Sequence, residues 1–149
     1  MSPWVKKAIG AVAALVLLAA PASAQVPDPF ARDLAQKLAR AEVVLVEQGY
    51  GRAAGPFAGG LPPRQTQRFN VTLRAGGDYR IVGVCDMRCN DIDLRLFDPN
   101  NQLLGQDVLD DPVPIIHVRP RFTGQYAIEV SMFRCASDPC WYAFNVYAR

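Results

Sequence analysis

From Gln67 to Tyr147, apolar side chains recur at every second position in short runs, and turn-forming residues separate the runs. Phe69, Val71 and Leu73 alternate with Asn70, Thr72 and Arg74, and Ile92, Leu94 and Leu96 with Asp93 and Arg95. Tyr126, Ile128, Val130 and Met132 alternate in the same way with Ala127, Glu129 and Ser131. A period of two places each apolar set on one face of a strand. Ala75–Asp78, Asp98–Asn101, Asp110–Pro112 and Pro120–Gly124 supply the turns. About seven to eight such strands in succession predict an all-β fold, an antiparallel, jelly-roll-like sandwich.

Ahead of Gln67 the period is helical. Phe30, Leu34, Leu38, Ala41 and Leu45 are spaced by three or four and fall on one stripe of a helix over residues 25–50. Pro27 and Pro29 flank Asp28, an acceptable N-cap. Asp33 and Lys37 are placed to pair across one turn. The β-branched run Val43-Val44-Leu45-Val46 leaves the last turns open to an extended form. Residues 51–66, rich in Gly, Ala and Pro, read as a connector that Phe57 and Leu61 pin to the core. This leaves residues 67–149 as the sandwich domain, with the helix expected to matter less to folding than the strands.

The stretches Gly76–Asp86 (G-G-D-Y-R-I-V-G-V-C-D), Asp91–Asp98 (D-I-D-L-R-L-F-D) and Thr123–Val130 (T-G-Q-Y-A-I-E-V) stand in a meaningful order. In that order they resemble the bacterial pre-peptidase C-terminal domain family, over roughly Gln67 to Ala148. The resemblance implies a jelly-roll-like β-sandwich of an exported protein. Members of that family typically follow a secreted protease, and others stand alone without assigned activity.

Lys6 and Lys7, the apolar run Ala8–Ala20 and the A-x-A ending Ala22–Ala24 describe a secretory leader, residues 1–24, cleaved after Ala24. The run is short for a membrane span, and no span is expected after cleavage. The leader holds two of the 16 basic residues and none of the 14 acidic ones, so the mature chain has no formal net charge. A neutral chain lacks the basic surface that nucleic-acid binding needs. Export to the periplasm or beyond puts the four cysteines in an oxidising compartment, where disulfides persist.

Val84–Asn100 concentrates the possible chemistry. Structural zinc calls for two close Cys or His pairs, but the internal spacings of Cys85/Cys89 and Cys135/Cys140 are wide for zinc knuckles. A redox site would use C-x-x-C at a helix N-terminus, and neither is present. Calcium could draw on Asp86, Asn90, Asp91 and Asp93, although the EF-hand offsets fail. The reading we carry forward is a stapled bend without metal or cofactor. In it Cys85 and Cys89 fasten one turn and Cys135 and Cys140 another, while Asp91 or Asp93 ties down neighbouring N–H groups. Sequence leaves the three possible connectivities open, and each pair flanks a turn.

His117 is the single histidine, and no G-x-S-x-G elbow accompanies it. Trp141, Tyr142, Phe144 and Tyr147 make the last strand aromatic, a composition suited to core packing or to stacking on sugars. The expected function is therefore a non-catalytic exported binding module whose partner is an unidentified protein or glycan of the cell envelope. A calcium-dependent carbohydrate- or surface-binding module is the alternative, and a small secreted hydrolase a more distant one.

Overall fold

The computed structural model describes residues 25–149, so the expected leader lies outside the described residues. The element order is α1 (Asp28–Glu47), β1 (Gly51–Leu61), β2 (Thr66–Leu73), β3 (Tyr79–Cys85), β4 (Cys89–Phe97), β5 (Leu103–Asp107), β6 (Ile115–Val118), β7 (Gly124–Cys135) and β8 (Cys140–Ala148). Two four-stranded sheets face each other, in the orders β1-β8-β3-β6 and β2-β7-β4-β5, and every pairing is antiparallel. This is the jelly roll expected from the alternation.

The alternating residues fill the space between the sheets. Leu73, Ile92, Leu94, Leu96, Ile128 and Met132 are buried there, against Ile81, Tyr142 and Phe144 of the facing sheet. The strands β3 and β8 break the alternation because both of their faces are covered. Their inward residues join the main core, while Val82, Val84, Ala143 and Tyr147 point outward under α1. A strand covered on both faces reads as a continuous apolar run rather than an alternating one.

The helix packs as its stripe requires. Leu34 and Leu38 sit against Val84 and Ala143, and Leu45 sits with Tyr50 against Val82 and Tyr147. The Asp33–Lys37 pair forms at 2.8 Å, and the same Lys37 ammonium donates to the Cys85 carbonyl at 2.8 Å. The N-cap differs from expectation. Pro27 occupies it, so Asp28 opens the first turn and no side chain caps the helix. Asp28 still serves the helix there, since a negative charge near the N-terminus is favourable.

The expected connector is the main correction. Residues 51–61 form β1, an edge strand of the first sheet, paired with β8 through two register shifts. Gly, Ala and Pro give it little β-propensity. It forms because the edge position tolerates Pro56, and because Phe57 stacks on Phe144 at 4.8 Å and packs against Phe69 at 5.7 Å. Gly55 is required at φ +105°, where a Cβ would also stand 2.5 Å from Asn145 Oδ1. The sandwich therefore begins at Gly51 rather than at residue 67, and α1 is joined directly to its first strand.

Candidate functional site

Val84–Asn100 resolves into a stapled end of the sandwich. Disulfides join Cys85 to Cys89 and Cys135 to Cys140, with Cα separations of 5.8 and 6.1 Å. Cys89 and Cys135 are cross-strand partners, so the staples lie side by side. The acid that holds most backbone groups here is Asp86, while Asp91 receives one backbone hydrogen bond, from Asp111. Asp86 is fully buried and accepts from the N–H groups of Arg88 (2.8 Å) and Trp141 (2.7 Å) and from the Arg88 guanidinium (2.8 Å). That guanidinium also donates to Ser137 Oγ and the Pro139 carbonyl and lies over the Phe30 ring, so it joins both staples to α1. Burial works against ionisation of Asp86, but the Arg88 and Trp141 hydrogen bonds prevail and hold its pKa below the usual carboxylate range.

The oxygens weighed for calcium are therefore dispersed. Asp86 is committed to Arg88 and Trp141, and Asn90 is exposed. Asp91 and Asp93 remain neighbours on the outer face of β4, opposite the buried Ile92 and Leu94. Burial first, and the charge of Asp110 second, push Asp91 up; burial and then Asp91 push Asp93 up. Arg134 and Arg95 only partly offset this. Asp91 Oδ1 is buried with no hydrogen-bond partner. Among the described residues, no three His, Cys, Asp or Glu side chains are grouped to hold a metal ion.

His117 is paired with an acid. Its Nε2 lies 2.8 Å from Asp78 Oδ1, and all four cysteines are in disulfides. The aromatic last strand supplies no sugar platform, because Tyr142, Phe144 and Tyr147 are fully buried and Trp141 is half-buried.

A site that the sequence did not reveal lies along the helix. On its β1 side, α1 leaves an open groove of about 700 Å³ over the outer face of the first sheet. Ala31, Ala35 and Ala39 form the helix wall, with Leu34 and Leu38 beneath them. Pro56 and Ala58 form the opposite wall, and Ala143 and Asn145 the floor. The volume falls within the range of small-molecule sites, about 300–1,000 Å³. Polar groups gather at one place. Asn145 Nδ2 donates to Tyr147 Oη (2.9 Å), Tyr147 Oη donates to Glu42 Oε2 (3.3 Å), and Arg52 donates to the same Glu42 oxygen (2.7 Å). Burial, opposed by the Asn145 hydrogen bond, raises the Tyr147 pKa, so the phenol keeps its proton as the donor of this chain. Asn145 is 1% exposed, yet its Oδ1 has no donor. A buried carbonyl oxygen without a partner costs about 1–3 kcal/mol, and Gly55 packs directly against this one. The only trace in the sequence is the spacing of Ala31, Ala35 and Ala39 by four, which puts small residues on one side of α1.

In comparison with known proteins, no protein-family model matches this chain, and no curated protein matches it.

Proposed function

We propose that the chain is a non-catalytic, exported binding module, and that its ligand lies in the groove between α1 and β1. The carrying observation is the groove itself, an apolar trough with the Asn145, Tyr147, Glu42 and Arg52 hydrogen-bond chain at one end. The ligand chemistry that fits is a small molecule with an apolar body and a small polar head. Glu42 and Arg52 neutralise each other at the polar end, which favours an uncharged head. Export rests on the leader expected from residues 1–24 and is consistent with two disulfides. The described residues include no helix long and apolar enough to cross a membrane. The likeness to the pre-peptidase C-terminal domain family adds the expectation of an accessory module.

Titration with an environment-sensitive apolar dye, N-phenyl-1-naphthylamine, tests this reading. The account expects saturable binding that Ala39→Trp weakens at least tenfold without lowering the melting temperature. Ala39 is exposed on the groove wall, so an indole there fills the trough rather than the core. Unsaturable dye uptake, or equal binding by the variant, would remove the groove as the site.

The calcium-dependent alternative keeps one observation in its favour, the partnerless Asp91 Oδ1 beside Asp93. It predicts a calcium-dependent rise in melting temperature that Asp91→Asn abolishes. Identical melts in calcium and in chelator would end it.

A further inference from the structure

The groove beside α1 is long, narrow and polar at one end. Its helix wall runs from Ala31 to Val46, a rise of about 22 Å at 1.5 Å per residue. A volume of about 700 Å³ spread along that length leaves a mean cross-section of roughly 30 Å². A second helix, about 10–12 Å across with its side chains, needs roughly three times that section. The trough is one extended chain wide.

Charged side chains line it only toward the C-terminal end of α1, where Glu42, Glu47 and Arg52 stand. From Glu42 back to Ala31, about 16 Å along the helix, the two walls carry only Ala, Leu and Pro side chains. Val26 stands at the far end, and no aromatic ring lines any part of the groove. None of these walls offers a hydrogen bond. The backbone of α1 is bonded within the helix, and β8 beneath is paired on both sides. An extended peptide laid here would bury an N–H and a C=O at every residue without partners. The hydroxyl groups of a sugar would meet the same penalty, and a hydrocarbon chain buries nothing polar.

We infer that the occupant is a single-chain lipid with an uncharged head, such as a fatty amide, fatty alcohol or monoacylglycerol. This rests on the groove being the binding site proposed above, and it adds the shape and polarity of what lies there. The alkyl chain runs along α1 toward Val26, and the head sits at Glu42 and Arg52. These two side chains are 26% and 43% exposed, so both can reach a head group, and their charges cancel. They set the head-group preference. The length of the alanine-lined wall sets the chain length.

Displacement of bound N-phenyl-1-naphthylamine from the mature protein by octanamide, decanamide and dodecanamide, each below its aggregation concentration, tests the inference. A fully buried methylene is worth about fourfold in affinity, and an open trough keeps part of that. Dodecanamide should therefore bind at least tenfold tighter than octanamide. The cage-shaped 1-adamantanecarboxamide should bind at least tenfold more weakly than decanamide, despite a similar carbon count. Ala35 is exposed on the wall two turns from Glu42, about 10 Å away. Ala35→Trp should lower dodecanamide to the affinity of octanamide and leave octanamide unchanged, whereas Ala39→Trp, beside the head, should weaken both. Glu42→Gln leaves Arg52 unpaired and should tighten dodecanoate at least tenfold. If the dye saturates and is lost in Ala39→Trp, yet octanamide and dodecanamide bind equally or the cage compound binds best, the single-chain inference falls and the groove stands. Dye binding that Ala39→Trp leaves intact removes the groove, and the inference with it. Co-sedimentation with phosphatidylcholine vesicles, without any response to the monomeric amides, would make the groove a membrane contact and overturn the inference too.

Discussion

Three aspartates within one short stretch meet opposite fates. Asp86 gains more from its hydrogen bonds than it loses by burial, whereas Asp91 and Asp93 are pressed toward neutrality by burial and by neighbouring acids. Replacing Asp86 by Asn removes the charge that Arg88 and two N–H groups address, and should cost about 2–3 kcal/mol in urea unfolding. A loss under 0.5 kcal/mol would mean that the disulfides alone hold this end. The pH dependence follows from the directions. The lowered groups, Asp78 and Asp86, add stability above the ordinary carboxylate pKa of 3.8 that is lost as pH falls through their folded values. For Asp78, burial is the opposing cause, and the Tyr50 and arginine hydrogen bonds outweigh it. The raised groups, Asp91 and Asp93, act the other way: their contribution is complete below 3.8 and is lost as pH rises through their folded values. Asp93→Asn should therefore raise the melting temperature at pH 7, with the gain shrinking toward pH 3. A lower melting temperature at pH 7 would show that the ionised form is needed.

At the scale of elements, α1 and β1 belong to the sandwich rather than precede it. A chain beginning at Gly49 would expose Val82, Val84, Ala143 and Tyr147 and lose the burial of Leu34, Leu38 and Leu45. At about 1.5–3 kcal/mol for each buried leucine, that approaches the whole stability of an ordinary domain. Loss of cooperative thermal unfolding is expected, and a sharp melt would restore the view that the helix is dispensable. The local staples are smaller terms. Each closes a loop with a sequence separation of only 4 or 5 residues, worth about 2 kcal/mol in the chain-entropy model. Cys135→Ala with Cys140→Ala should cost about that much and leave the fold intact. The alternating strands were legible because each has one face in the core, and α1 because its leucines repeat at helical spacing. The strand β1 was not, since its pairing depends on what β8 offers and not on its own propensity. The groove was hidden for a related reason: Ala39, Pro56 and Asn145 are far apart along the chain, and only the pairing of β1 with β8 beneath α1 brings such residues together.

For the whole molecule, two disulfides and no free thiol among the described residues fit an oxidising compartment. Thiol titration of the denatured, unreduced mature protein should find essentially no reactive thiol, and two or more per chain would contradict export. Against this stapled frame the α1–β1 groove is the feature that frame stability does not explain, because filling it would bury more apolar surface. The central claim is that this groove is the binding face. The most direct measurement is an amide and side-chain NMR spectrum of the mature protein recorded during titration with a neutral amphiphile such as dodecanamide, below its aggregation concentration. The account predicts shifts confined to Ala35, Ala39, Ala58, Ala143 and the Asn145 side-chain amide. Shifts centred instead on the exposed Leu103, Leu104 and Ile115 of β5 and β6, or none at saturation, would contradict it.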